Sequence, residues 1–487
     1  MHFDLLVLGS GPAGQKAALQ ASKLDKRAAV VERKATLGGV SMNTGTIPSK
    51  TLREAVLYLT GHYQRTFYGH SYSVESHISM GDLMARAEHV IQHQIGVARQ
   101  HLQQNAVEVL RGDAAFVDSH TVAVKPAEGP QISVTADRIL IATGSEAARP
   151  EGIPFDGKRV LTSDDLLHLA EVPHSLAIVG GGIIGTEYAG IFSTLGIGVT
   201  LIDRRDRLLP FVDREVGDAL VQHLTENGVE LHLNEGVEEI ATKDLETVEV
   251  RLGSGKTVKA EALLYSIGRV GATDTLNLAA AGLETDDRGR IPVDEHFRTA
   301  VPHIYAAGDV IGSPALAATS MEQGRIAVCH AFDVPEQTAI VPLPYAIYTV
   351  PEIAMLGPTT EELDEAGVEY VVGRAHYEEI ARGRMLGDRT GFLKMLFHAE
   401  SGRLVGIHAL GVHASELIHI GQAVMSFGGG LDYFIDTTFN YPTLAECYKT
   451  AALDAANDLR RSGQYASIDM FVPAPPVPGL ESFHPTG

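Results

Sequence analysis

Two glycine-rich loops carry the clearest chemistry in this 487-residue sequence. The first reads Gly9-Ser10-Gly11-Pro12-Ala13-Gly14 and the second Gly180-Gly181-Gly182-Ile183-Ile184-Gly185. Each has the G-x-G-x-x-G spacing that lets backbone N–H groups approach a pyrophosphate at a helix start. Each is followed, at the end of the next apolar run, by an acid that can accept from a ribose hydroxyl: Glu32, with Arg33 beside it, and Asp203. One such loop is a weak signal, but the same device twice in one chain is far more specific. Two dinucleotides are therefore expected, one as prosthetic group and one as exchanging substrate. Beside Asp203 stand Arg204 and Arg205. The acid suits the free 2′-hydroxyl of NAD and the arginines suit the 2′-phosphate of NADP, which predicts tolerance of both. The alternative is that both arginines are solvated surface charges.

The elements that must hold these loops follow from the hydrophobic pattern. An apolar run at 3–9 leads into the first loop, a helix-like stretch from Gln15 to Lys26 follows, and a second run from Ala28 to Val31 ends at Glu32. Helices are expected at 47–64, with Pro48 in the first turn, and at 80–105, with short strands over 106–135. Arg138–Ile141 reads as a strand ending in the small residues Ala142-Thr143-Gly144. Periodicity lapses over 150–173, which suggests a domain crossing. Then come a strand at Leu176–Val179, a helix from Thr186 to Leu195 and a strand at Gly198–Ile202. A further strand, Ala262–Ile267, ends in Gly268-Arg269. The run His303–Ala307 ends in Gly308-Asp309, and ligands in such sheets sit beyond the carboxyl ends of the strands, so Asp309 is placed to bind hydroxyls of the first dinucleotide. From about Pro342, alternating segments predict an antiparallel sheet with helices at 413–427 and 443–460 and no glycine fingerprint. The expected fold is α/β: two Rossmann-like dinucleotide-binding domains, residues 1–155 with 272–341 and residues 156–271, then a C-terminal α+β domain, 342–462. The Pro-rich segment 463–487 is expected to be a flexible tail.

Composition narrows the partners. The formal charge of −22 repels nucleic acid and anionic membrane surfaces, and no basic run offsets it. The chain enters a strand at once, so no signal peptide is expected, and no apolar run approaches the roughly 20 residues that span a bilayer. Two cysteines far apart, Cys329 and Cys447, do not make a disulfide framework. Both read as small core residues, and a reducing cytoplasm is the expected home. His408, His413 and His419 show no metal-ligand pattern, so no metal is expected.

Residues 38–50 read Gly38-Gly39-Val40-Ser41-Met42-Asn43-Thr44-Gly45-Thr46-Ile47-Pro48-Ser49-Lys50. This resembles the GGxCxNxGCIPSK redox segment of the two-dinucleotide flavoprotein disulfide reductases, such as dihydrolipoamide dehydrogenase and glutathione reductase. Glu32, Ala142-Thr143-Gly144, the second glycine loop and Ala307-Gly308-Asp309 occur in that family's order, over about residues 3–460. More narrowly, Gly45–Lys50, Ala315-Leu316-Ala317-Ala318-Thr319, Ala414–Gln422 and Phe439-Asn440-Tyr441-Pro442-Thr443 are similar to the soluble (Si-specific) NAD(P) transhydrogenases. The resemblance implies non-covalent FAD in the first domain, NAD(P) in the second and homodimerisation through the third. It places Tyr441 where disulfide reductases carry a catalytic His, keeps their Glu as Glu446, and pairs Lys50 with Glu187 beside the flavin's reactive edge.

Both cysteine positions of that frame are hydroxyls here, Ser41 and Thr46. Alcohols cannot undergo thiol–disulfide exchange, which requires a thiolate attacking sulfur. Electrons on the flavin must then leave through the nicotinamide pocket, by ping-pong hydride transfer between NADPH and NAD+, or go to an external acceptor. Lys50 suits the negative charge that develops on reduction, although a lysine is more often merely exposed. Glu187 can equally be a helix N-terminal acid that favours the dipole. Tyr441 either hydrogen-bonds near the flavin or fills vacated space. A diaphorase or quinone reductase, and a non-catalytic flavoprotein that senses nicotinamide redox state, are the competing readings.

Overall fold

The structure is a computed structural model and describes residues 1–69, 78–242, 247–335 and 343–462. The tail 463–487 and the expected boundary at 341 lie outside the described residues.

Strand His2–Leu8 lies between Ala28–Glu32 and Ile132–Ile141, all parallel. All five residues of Ala28–Glu32 are buried, as expected of a parallel strand covered on both faces. The full seven-stranded sheet runs 108–111, 28–32, 2–8, 132–141, 121–125 and 113–116, with 304–306 also on 132–141. The long strand 132–141 pairs antiparallel with 121–125 through its first half and parallel with 304–306 through its last three residues. The chain therefore returns to its first sheet after building a second one. That second sheet orders its strands 230–232, 198–202, 175–179, 262–265 and 160–161, all parallel. The C-terminal sheet is antiparallel in the order 345–347, 353–356, 404–410, 392–398 and 370–376. Helices Ala414–Ser426 and Glu446–Ser462 accompany it.

The boundaries differ from expectation in instructive places. The helix expected from Gln15 begins at Pro12, directly after the loop, and the one expected from Thr186 begins at Ile183. The helix expected over 47–64 is two: Thr46–Thr60 and His62–Tyr68. Gly61 separates them at φ 60°, a left-handed position that only glycine adopts without strain. A further short helix, Gly39–Asn43, precedes Thr46.

The three parts share packing. One apolar core joins Leu52, Val56 and Leu83 to Ile178, Ile191 and Leu264, and these to Ile353 and Phe392. A buried ion pair crosses from the second sheet's part to the third: Lys394 Nζ lies 2.9 Å from both carboxylate oxygens of Asp213. Thr360 Oγ1 also donates to Asp213.

Candidate functional site

Both glycine loops sit at the carboxyl end of a central parallel strand and open a helix. Neither helix has a side-chain cap or an acid in its first turn. Ser79, Asp213 and Thr359 cap three other helices, while several more, Thr46–Thr60 and Ala317–Ala331 among them, also lack a side-chain cap. Helices Pro12–Lys23 and Ile183–Thr194 thus present unsatisfied N–H groups and a positive dipole end, which is an anion seat.

The glycines divide by what a side chain would meet. A Cβ on Gly9 would lie 2.3 Å from the Ala142 carbonyl oxygen, and one on Gly14 would lie 2.0 Å from the Gly9 oxygen. A Cβ on Gly11 would meet no protein atom within 4 Å. The second loop repeats this: Gly180 and Gly185 are closed by Ser266 and by the Gly180 oxygen, while Gly182 is open. Gly11 and Gly182 hold φ −66° and −79°, which any residue adopts. Packing and backbone strain explain the outer glycines but not the middle ones. A pyrophosphate laid against the backbone explains those, so both loops fit a dinucleotide.

A cavity extends from the first loop. Of the residues expected to hold FAD, it is lined by Gly9, Gly11, Pro12, Ala13, Glu32, Arg33, Gly39, Thr46, Ala142, Thr143, Gly144, Gly308, Asp309 and Ala317. Ser41 also lines it, so the residues at both cysteine positions of the family's frame, Ser41 and Thr46, border this space. Ser41 Oγ donates to the Gly38 carbonyl oxygen at 3.2 Å. Gly14, Gly38, Lys50, Leu316 and Ala318 do not line the cavity; Gly14 and Gly38 are buried and Ala318 is exposed. Leu316 is the residue before helix Ala317–Ala331, and Gly38 donates its N–H to Ser10 Oγ at 3.0 Å. Asp309 accepts from Ser145 Oγ at 2.8 Å, and Arg269 in turn donates to Ser145 Oγ at 2.9 Å. Gly268, with φ 102°, has open space where a side chain would stand, as has Gly182. Ile184 is half-buried in the first turn of its helix. Asp203 is buried at the end of its strand, and Arg204 and Arg205 are exposed. Arg205 nevertheless grips Asp203, Nη2 to Oδ2 at 2.8 Å, so it is not simply a solvated charge.

Lys50 lies one helical turn beyond Thr46 on the same helix face. Its Nζ bonds Glu187 Oε1 at 2.8 Å and Oε2 at 2.6 Å. The Glu187 side chain is 6% exposed and that of Lys50 26%, so the amine keeps the open side. Glu187 lies beyond the first turn of its helix, and its partner is the lysine, not the helix dipole. Sequence reasoning missed the third member, Tyr348. Its backbone N–H donates to Glu187 Oε1 at 2.9 Å, and Lys50 Nζ stands 5.1 Å from its ring centroid. Burial raises the Tyr348 phenol, tempered by a hydrogen bond with Ser415. One turn after Lys50, the buried Arg53 donates to the Thr349 carbonyl oxygen and pairs with Glu352. The segment 348–352 thus fixes the lysine's helix at two successive turns, and no local sequence signal announces it.

Tyr441 is 70% exposed and does not line the cavity. Glu446 begins the last helix and accepts from the Thr443 N–H at 3.4 Å. Both cysteines are buried away from the cavity, and burial pushes the Cys447 thiol up to about 12. His408 is buried, with Nε2 3.0 Å from the Pro358 carbonyl oxygen, and burial lowers its pKa. Among the described residues, no group of His, Cys, Asp and Glu is arranged to hold a metal, and no helix is long and apolar enough to cross a membrane.

Loops, sheets and cavity define a two-nucleotide oxidoreductase architecture, and comparison with known proteins agrees. The chain belongs to the pyridine nucleotide-disulphide oxidoreductase family, whose model matches residues 3–324, with the family's dimerisation domain at 343–452. It is 50% identical over 465 residues to the soluble pyridine nucleotide transhydrogenase of Mycobacterium tuberculosis (strain ATCC 25177 / H37Ra), covering 95% of this chain and 99% of that one. It is 42% identical over 461 residues to the protein of the same name from Colwellia psychrerythraea, covering 94% and 98%. Among solved structures, LpdA from M. tuberculosis superposes with a TM-score of 0.85 at 28% identity, covering 92% of this chain and 98% of that one. The HOCl-induced flavoprotein disulfide reductase RclA from Escherichia coli gives 0.83 at 28%, covering 92% and 99%.

Proposed function

We propose that this chain is an FAD-dependent soluble NAD(P) transhydrogenase that moves a hydride between NADPH and NAD+, and between NADH and NADP+, by a ping-pong route through one nicotinamide pocket. The observation that carries this reading is the cavity wall, which is lined by Ser41 and Thr46 at the two cysteine positions of the family's frame, with both thiols of the chain buried elsewhere. Bound FAD would supply the relay that accepts a hydride from one nicotinamide and returns it to another. The chain's residues do the rest. The first loop and its uncapped helix hold the pyrophosphate, Glu32 and Asp309 offer acceptors to hydroxyls, and the second loop seats the exchanging nucleotide. Lys50 holds a positive charge where negative charge develops, and Glu187 with Tyr348 fixes that charge in place before reaction.

In this reading residues 1–155 and 272–341 form the FAD unit, 156–271 the NAD(P) unit and 342–462 the dimerisation unit of a cytoplasmic homodimer. The names of the relatives and the two buried free thiols support the cytoplasm. Tyr441 stands on the surface of the dimerisation part, so we place any role for it and Glu446 across a dimer contact.

The deciding experiment mixes the purified yellow protein anaerobically with NADPH and thio-NAD+. Sustained formation of reduced thio-NAD with parallel-line kinetics is the expected result. Bleaching by NADPH without reoxidation by thio-NAD+ would overturn it. A second test uses Gly182→Ala, whose Cβ meets no protein atom within 4 Å. It should leave Tm unchanged and weaken both nucleotides by about tenfold, the effect of roughly 1.4 kcal/mol, in calorimetric titration. Unchanged affinity would remove the second loop from the site.

A further inference from the structure

The acids behind the two loops are held in the same frame but with different occupancy. A carboxylate offers about four lone-pair positions. Glu32 uses three: Oε2 accepts from Ser10 N at 3.1 Å and Ser10 Oγ at 2.5 Å, and Oε1 accepts from Lys34 N at 2.8 Å. One position on Oε1 stays open toward the cavity that Glu32 lines. Asp203 uses all four. Its Oδ2 accepts from Gly181 N at 2.5 Å and Arg205 Nη2 at 2.8 Å, and its Oδ1 accepts from Arg205 N at 2.8 Å and Arg205 Nε at 2.9 Å.

The backbone contacts match between the loops. In each, the residue after the first glycine donates to one oxygen, and the residue two beyond the acid donates to the other. What differs is the side chain that completes the set, a neutral hydroxyl in the first loop and a guanidinium in the second. An Asp203 so filled has no acceptor to give a ribose hydroxyl until the guanidinium leaves.

We propose that Arg205 is an internal competitor for Asp203 and makes the pair a selector between the two nicotinamide nucleotides. A ribose with a free 2′-hydroxyl binds Asp203 by displacing the guanidinium. A 2′-phosphate draws the same guanidinium off Asp203 and keeps it as its own partner. The inference rests on the transhydrogenase reading, which needs one pocket to take both forms, and it assigns that tolerance to one side chain with two positions. The Arg205 side chain is 42% exposed and that of Asp203 5%, so the guanidinium has a path to solvent while the carboxylate stays in place. Arg204 makes no hydrogen bond to Asp203 among the described contacts and is not part of the selector.

The test titrates NAD+ and NADP+ separately into the oxidised, FAD-loaded enzyme by calorimetry, so that no turnover occurs. Arg205→Ala should tighten NAD+ by about twofold to fivefold, the worth of an exposed ion pair, and weaken NADP+ by at least about tenfold, since a hydrogen bond to a charged group is lost. Asp203→Asn should act in the opposite sense, weakening NAD+ and tightening NADP+. Arg204→Ala should weaken NADP+ less than Arg205→Ala does and should not tighten NAD+. If Arg205→Ala leaves NAD+ affinity unchanged or lowers it while the protein keeps its flavin, the competition is overturned and the transhydrogenase reading stands. Wild-type protein that binds neither nucleotide overturns both.

Discussion

Replacing Lys50 by methionine should slow the bleaching of the yellow enzyme by NADPH about 10²–10³-fold, the typical cost of removing one preorganised charge from a reacting centre. The lysine is already held in place by its neighbours. Both oxygens of Glu187 hold its amine, at 2.8 and 2.6 Å, and the Tyr348 ring lies 5.1 Å beneath it. Methionine keeps the length and the packing of the stem and deletes the charge. Glu187→Gln should cost less, about tenfold, because it loosens the lysine without removing it. Stopped-flow absorbance separates these effects from binding, since the rate at saturating NADPH reports the transfer itself. A methionine variant that bleaches at the wild-type rate would remove Lys50 from the catalytic machinery.

The second large effect concerns stability. Lys394→Met should destabilise the protein by about 3–5 kcal/mol, because breaking a buried pair leaves an uncompensated charge. The side chains of Lys394 and Asp213 are 3% and 0% exposed. Adding Asp213→Leu to Lys394→Met should recover only the part due to the stranded charge, since Asp213 also caps its helix and accepts from Thr360. The chain has no tryptophan, so tyrosine fluorescence during urea denaturation is the appropriate readout. Acid should reveal the same pair in the wild type. Burial pushes the Asp213 carboxyl up, but the charges of His408 and Lys394 and the hydrogen bonds it accepts outweigh that and hold it at about 2. A depressed carboxyl contributes stability that is complete above its ordinary pKa of about 4 and is lost as pH falls toward 2. A flat stability profile across that window would contradict the assignment.

The parts of the fold that repeat a local rule were legible before any coordinates. The glycine loops, the acid behind each and the strand–helix order all follow from spacing within about thirty residues, which a linear reading can follow. The antiparallel character of the last domain was visible in its alternation. Element edges were less so. Gly61 hides inside a helical pattern, and the helices at Pro12 and Ile183 begin without a capping side chain that a sequence reading could have used. The partners that fix the site were not legible. Tyr348 meets Lys50 and Glu187 only because the third domain packs on the first two, and Lys394 meets Asp213 for the same reason. Arg205 was visible as a charge beside an acid, but only geometry tells that it fills the acid's last acceptor positions.

The hydroxyls of Ser41 and Thr46 have a consequence for chemical endurance. Disulfide-using relatives expose a nucleophilic sulfur whenever they are reduced, and soft electrophiles, heavy metals and hypochlorous acid attack sulfur in that state. Here the two thiols of the chain lie at 1% and 0% exposure, and burial keeps the one at Cys447 protonated. Among the described residues that line the cavity there is no cysteine, so a thiolate-directed reagent meets none there. Thiol-selective reagents should therefore leave this cavity unmodified, since neither buried cysteine lines it.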